Sequence, residues 1–94
     1  MMTPDSKNTL KARAHHLKPI ILVGQKGLTE AVINETRVAL LTHELLKIKM
    51  SGAEKEDRRA MIQHLCDALE ADLIQTIGSM VVIYKKNPDK AINL

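Results

Sequence analysis

Phenylalanine and tryptophan are absent from this 94-residue chain, and Tyr84 is its one aromatic residue. Selective single-strand nucleic-acid binders usually stack bases on rings, and Tyr84 is the only ring available for that mode here. The core must be aliphatic. Cysteine is nearly absent too. Cys66 stands alone, so there is no disulfide framework, which fits the cytosol. No apolar run approaches the roughly 20 residues of a membrane span. The polar, charged residues 1–14 lack a signal peptide's apolar stretch. The expected location is cytoplasmic, with no membrane partner.

Catalytic constellations are missing as well. His15 and His16 are adjacent on a helix and point about 100° apart, which prevents joint chelation. His43 has no ligand at metal spacing, and His64 and Cys66 diverge. Cys66 falls on an inward helical stripe and reads as a small core residue. No Ser-His-Asp or Cys-His constellation can be argued from the spacing. The chain is therefore not expected to be an enzyme or to take a metal, a cofactor or a small-molecule substrate.

What is present is a short chain with a skewed charge. Ninety-four residues make one domain, so nearly every large apolar side chain is needed inside. Net charge is +3. Residues 1–50 hold eight Lys/Arg and four Asp/Glu, whereas residues 51–94 hold six and seven. The basic surplus lies in the first half and favours an anionic partner such as nucleic acid.

Periodicity gives the order α-β-α-β-α-β-β. Thr3-Pro4 reads as a cap and first helical residue, with Leu10, Ala14 and Leu17 at helical spacing. Pro19 ends that segment. The apolar run 20–23 predicts a strand buried on both faces. Thr29 caps a second helix with Val32, Ile33, Thr36, Ala39 and Leu40 inward. In strand 44–50, Leu46, Ile48 and Met50 alternate with Leu45, Lys47 and Lys49. Ser51-Gly-Ala-Glu54 fits a capping box opening helix 3, with a partly looped stretch 54–59 as the alternative. Helix 3 carries Met61, Ile62, Leu65, Cys66 and Leu69. Its interleaved Glu54, Glu56, Asp57 and Lys55, Arg58, Arg59 read as a solvated face. Strands 72–77 and 80–86 flank a Gly78-Ser79 hairpin turn, and Pro88 stops the last. The expected fold is a compact two-layer α/β domain over residues 1–94, with a four-stranded mixed sheet. Its core runs from about 4 to 86, and 87–94 form a loose tail. Strand order and the docking of helix 1 stay open.

The candidate site is Gly24-Gln25-Lys26-Gly27, between a strand and the Thr29 cap. Glycine at both ends permits positive φ and lets a ligand's backbone approach. The helix start adds bare N–H groups and about half a positive charge. Lys26 at the tip and Lys18 at the strand entrance supply full charges. The spacing is neither that of a P-loop nor that of a dinucleotide fingerprint. Lys47 and Lys49 share one strand face at roughly 6–7 Å, near the phosphate spacing of a single strand. Lys7, Lys11 and Arg13 extend the patch in support. With few rings, recognition should run through phosphates, the 2′-OH and RNA shape.

Three separated motifs carry a family resemblance. His15, Leu17, Pro19, Gly24, Gly27, Leu28 and Thr29 fit A-H-x-L-x-P-x-x-x-x-G-x-x-G-L-T. His43-Glu-Leu-Leu-Lys-Ile-Lys49 fits H-E-L-[IL]-K-[VI]-[KR]. Gly78 with Val81-Val-Ile-Tyr84-Lys85 fits G-x-x-x-V-[LI]-Y-R. Over about residues 10–86 the chain resembles the CRM domain in its small stand-alone bacterial YhbY-like form. The resemblance implies an RNA-binding domain similar to the C-terminal domain of a bacterial translation initiation factor, with a G-x-x-G loop likened to that of KH domains. Bacterial members are associated with large-ribosomal-subunit precursors, and plant relatives with intron splicing. The implied function is an accessory factor that binds ribosomal RNA during large-subunit assembly. Its expected contacts are Gly24, Gln25, Lys26, Gly27, Lys18, Thr29, Lys47, Lys49 and Lys85. Lys85 stands where the pattern has Arg, which keeps the charge but loses planar bidentate recognition. The alternative is a protein-interaction module for a ribosomal protein or assembly factor. The acidic second half and Leu45, on an otherwise basic strand face, would support it.

Overall fold

The computed structural model describes residues 4–86. The Thr3 cap, the Pro88 stop and the 87–94 tail lie outside the described residues. The elements are α1 (Pro4–Ala14), β1 (Ile21–Val23), α2 (Glu30–His43), β2 (Leu45–Met50), α3 (Lys55–Leu69), β3 (Asp72–Ile77) and β4 (Met80–Tyr84). The element order and the four-stranded mixed sheet agree with the sequence expectation.

Local chemistry explains most boundaries. Thr29 Oγ1 accepts the Val32 N–H at 3.2 Å and starts α2. Thr36 is buried on the inward stripe, where its hydroxyl donates to the Val32 carbonyl at 2.8 Å. The expected capping box before α3 does not form. The Ser51 N–H donates to the Val23 carbonyl at 2.9 Å, which ties Ser51 to the end of β1. Glu54 occupies the N-cap position without a side-chain cap bond, and the helix begins at Lys55. The 55–59 stretch is therefore helical, not loop.

The strand order is β1-β2-β4-β3. β1 runs parallel to β2, while β4 inserts antiparallel between β2 and β3. β1 is thus an edge strand, and the expectation that it is buried on both faces fails. Ile21 and Val23 enter the core, but Leu22 is 67 % exposed and Ile20 is also exposed. An uninterrupted apolar run cannot reveal which of its residues lack a covering layer.

The two sheet faces carry unequal layers. On one, Leu46, Ile48, Met50, Val81 and Ile83 pack under Leu40, Ile62, Leu65, Cys66 and Leu69 of α2 and α3. This pairing is the expected two-layer arrangement and holds the larger core. On the other face, α1 sets Leu10 and Ala14 against Leu45, Ile74 and Val82, adding a short further layer. A register shift between Leu73 and Gln75 accompanies the placement of Ile74 beneath α1.

Cys66 lies in the larger core. Burial first, then repulsion from Asp67 and Asp72, pushes its thiol up from 9.0 to about 11. Because the thiolate is the nucleophile, alkylation at pH 7–8 should be slow in the folded protein and fast after denaturation. The unfolded thiol ionises first as pH rises. Its contribution to stability is therefore full below about pH 9 and lost on the way to pH 11. Denaturant melts across pH 8–11, compared with a Cys66→Ser variant, check the sign.

Candidate nucleic-acid interface

Strand direction gathers several chain reversals at one end of the sheet. Val23 pairs with Met50 at the close of β1 and β2. The Met50 N–H donates to the Ser79 carbonyl at 2.8 Å, bringing the β3–β4 turn to the same place. The 24–27 loop, the 51–54 connection and Gly78-Ser79 are consequently neighbours. Both α2 and α3 start here, so two positive helix ends face the same pole.

Within the loop, the Gly27 N–H donates to the Gly24 carbonyl at 3.0 Å, closing a tight turn. That amide is occupied. Among the described residues, the N–H groups of Gln25, Lys26 and Leu28 meet no protein acceptor. Gln25 and Lys26 are exposed. The two glycines play different parts. Gly27 has φ +72°, and a Cβ there would lie 3.6 Å from the Met61 sulfur. Gly24 has no positive φ, and a Cβ there would meet nothing within 4 Å. Positive φ thus accounts for Gly27 alone, while Gly24 leaves bare approach space. Gly52 packs against Gln25, since a Cβ there would lie 3.1 Å from the Gln25 side chain and 3.6 Å from its main-chain N.

The expected lysines divide between the two ends of the sheet. Lys49 pairs with Leu22 and with Met80, close to the loop, and is exposed. Lys47, one pleat back on the same face, is half-buried and lines a cleft of about 160 Å³ with Ala14, His15 and Met80. Lys18 lies further back, sharing a second cleft with Lys47 and His43. Lys85 sits at the opposite end of the sheet, its N–H bound to the Glu44 carbonyl at 2.9 Å. Its ammonium donates to the Leu69 carbonyl at 2.7 Å and so closes the C-terminus of α3. Register therefore sets Lys49 at the loop end of β2 on the face α1 partly covers, with Lys47 one pleat behind it and Lys18 beside Lys47, and leaves Lys85 at the far end of the sheet.

Two sequence features change meaning. Leu45, read as an apolar spot on a basic strand face, is 5 % exposed and lies under α1. It offers nothing to a protein partner. Conversely, register aligns Leu22, Lys49, Met80 and Ile77 in one row across all four strands, on the face α1 covers only in part. Leu22 and Ile77 (64 %) are largely exposed. Pairwise register is needed to see that row, and no local pattern announces it.

Comparison with known proteins agrees with this architecture. The model of the CRS1 / YhbY (CRM) domain matches residues 2–85. The chain is 45 % identical over 93 residues to a protein of Pseudomonas aeruginosa named a probable RNA-binding protein, covering 99 % of this chain and 89 % of that one. It is 38 % identical over 93 residues to a protein of Haemophilus influenzae named RNA-binding protein, covering 99 % and 94 %. The solution structure of a Staphylococcus aureus protein, described as a candidate RNA binder, superposes with a TM-score of 0.81 at 32 % identity, covering 93 % of this chain and 91 % of that one. A match across nearly the whole chain, in sequence and in fold, places it in the CRS1 / YhbY (CRM) domain family.

Proposed function

We propose that the chain is a cytoplasmic RNA-binding accessory factor that engages ribosomal RNA of the large-subunit precursor during ribosome assembly. The observation that carries RNA binding is the open 24–27 loop, with unclaimed amides at Gln25, Lys26 and Leu28 ahead of the Thr29-capped helix. Backbone N–H groups at a helix start suit a phosphate oxygen, and the flanking glycines keep side chains out of its way. Lys26 supplies the nearest full charge, with Lys49 and Lys47 continuing along β2. Lys18 and Lys85 add attraction at longer range, Lys85 with its ammonium already engaged. The names of the bacterial relatives support the RNA partner. The ribosomal target rests on the family resemblance.

Such a grip reads the backbone, so affinity should be modest, salt-dependent and weakly selective in sequence. Titration against structured RNA at several salt concentrations tests it. With about three to five phosphate contacts, log K against log[salt] should slope by roughly −2 to −4. A flat line would remove phosphate binding from the mechanism. Co-sedimentation with large-subunit precursor particles should be lost after RNase treatment. Retention would mean the chain is held there by protein.

A further inference from the structure

We propose a second phosphate site for the same RNA, in the cleft between the start of α3 and the β3–β4 turn. The proposal rests on the RNA-binding reading above and extends it to residues that the sequence presents as a plain charged surface. The cleft measures about 410 Å³ and is lined by Lys55, Arg58, Arg59, Ile62, Thr76 and Gly78.

Helical geometry sorts the mixed charges of 54–59. Lys55, Arg58, Arg59 and Ile62 are spaced i, i+3, i+4, i+7 and fall within one arc of about 100°. Glu56 and Asp57 project from the remaining circumference. Three cations thus line one concavity, and no acidic residue is part of its lining. Among the described residues none of the three forms an ion pair. The Arg58 side chain makes a single long bond, Nη1 to the Ala53 carbonyl at 3.5 Å. The two guanidiniums retain planar donor pairs suited to phosphate oxygens. Thr76 and the turn at Gly78 complete the lining from the β3–β4 side.

Position joins this cleft to the loop. Met61, on the adjoining face of α3, is the side chain that a Cβ on Gly27 would meet. The start of α3 therefore stands between the 24–27 loop and the β3–β4 turn. An RNA backbone held at the loop can continue across α3 into the cleft without crossing to another end of the sheet. The ligand is a phosphodiester of that strand. No base-specific contact is required, which agrees with the scarcity of rings.

The test compares salt slopes for the full chain and its variants on one structured RNA. Lys55→Ala combined with Arg59→Ala removes two exposed cations while leaving the core alone. The slope should become shallower by roughly 1.4–1.8, with affinity falling by more than about tenfold near 0.1 M salt, and Tm should not change. Thr76→Glu places a carboxylate on the β3–β4 side of the lining without altering α3, and should weaken binding too. Arg37→Ala removes one charge from α2, away from the cleft, and should do less than Arg59→Ala. Unchanged binding in the double variant and in Thr76→Glu, with Lys26→Ala still harmful, would overturn the cleft alone. Equal losses in Arg37→Ala and Arg59→Ala would reduce the effect to net charge and also overturn it. A salt-independent wild type, indifferent to every substitution, would sink the RNA-binding reading and this site with it.

Discussion

Gly27→Asp is expected to weaken RNA binding by about 100-fold at low salt while leaving the domain folded. Residue 27 ends the turn closed by its own N–H and sits beside the unclaimed amides of Lys26 and Leu28. A carboxylate about 6 Å from a bound phosphate, at an effective dielectric near 20, opposes it by roughly 3 kcal/mol. Aspartate suits the test because it tolerates left-handed backbone better than most residues, and φ at this position is +72°. The space for it is ordinary, since the nearest heavy atom to an added Cβ is 3.6 Å away. Gly24→Ala serves as partner. An added methyl there meets no protein atom within 4 Å, so Tm should hold while affinity falls by a smaller factor through lost approach. Lys26→Ala should weaken binding without moving Tm. Filter binding or fluorescence anisotropy gives the affinities, and circular dichroism melts give the fold. Wild-type affinity in a folded Gly27→Asp protein would exclude the loop as the phosphate grip.

Ile48→Ala should be the most damaging of the apolar truncations. Ile48 is fully buried and central, paired with Ile21 on one side and Val81 on the other, beneath α2 and α3. Truncating it removes transfer energy and leaves a cavity in an aliphatic core, a loss of about 3–4 kcal/mol. In a domain of this size that lowers Tm by roughly 15–25 °C and consumes a large part of the total stability. Leu22→Ser is the contrast. It lies one residue from Ile21 in the same apolar run, yet its side chain is largely in solvent. Its effect on Tm should be within a few degrees. Paired thermal and urea melts decide the matter. Comparable losses in both variants would mean that β1 is covered on both faces after all.

These contrasts mark how far the sequence could be read. Local signals located the elements well. The Thr29 cap, the stripe from Val32 to Leu40 and the glycine turn before Met80 each appear where their chemistry placed them. Alternation along β2 assigned Lys47 and Lys49 to one face, and register confirms it. Where reading failed, the missing fact was a neighbour distant in sequence. Ser51 looks like a cap until its amide is seen to serve the Val23 carbonyl. Leu45 looks exposed until α1 covers it, and Leu22 looks buried until β1 proves to be an edge. Lys85 looks like a free surface charge until its ammonium is found on the end of α3.

Taken alone, the sequence determined the kinds of element, their order, the aliphatic core and the glycine loop set before a capped helix. Each of these follows from period, capping and backbone freedom over a few residues. Tertiary structure alone decided the insertion of β4 between β2 and β3, the seat of α1, and the gathering of loop, turn and two helix starts at one pole. It also set the β3–β4 turn against Lys55, Arg58 and Arg59, making a cleft of a helix face that periodicity alone leaves as a surface stripe. Strand order and layer assignment depend on which distant surfaces exclude water together, and a local pattern does not contain that information.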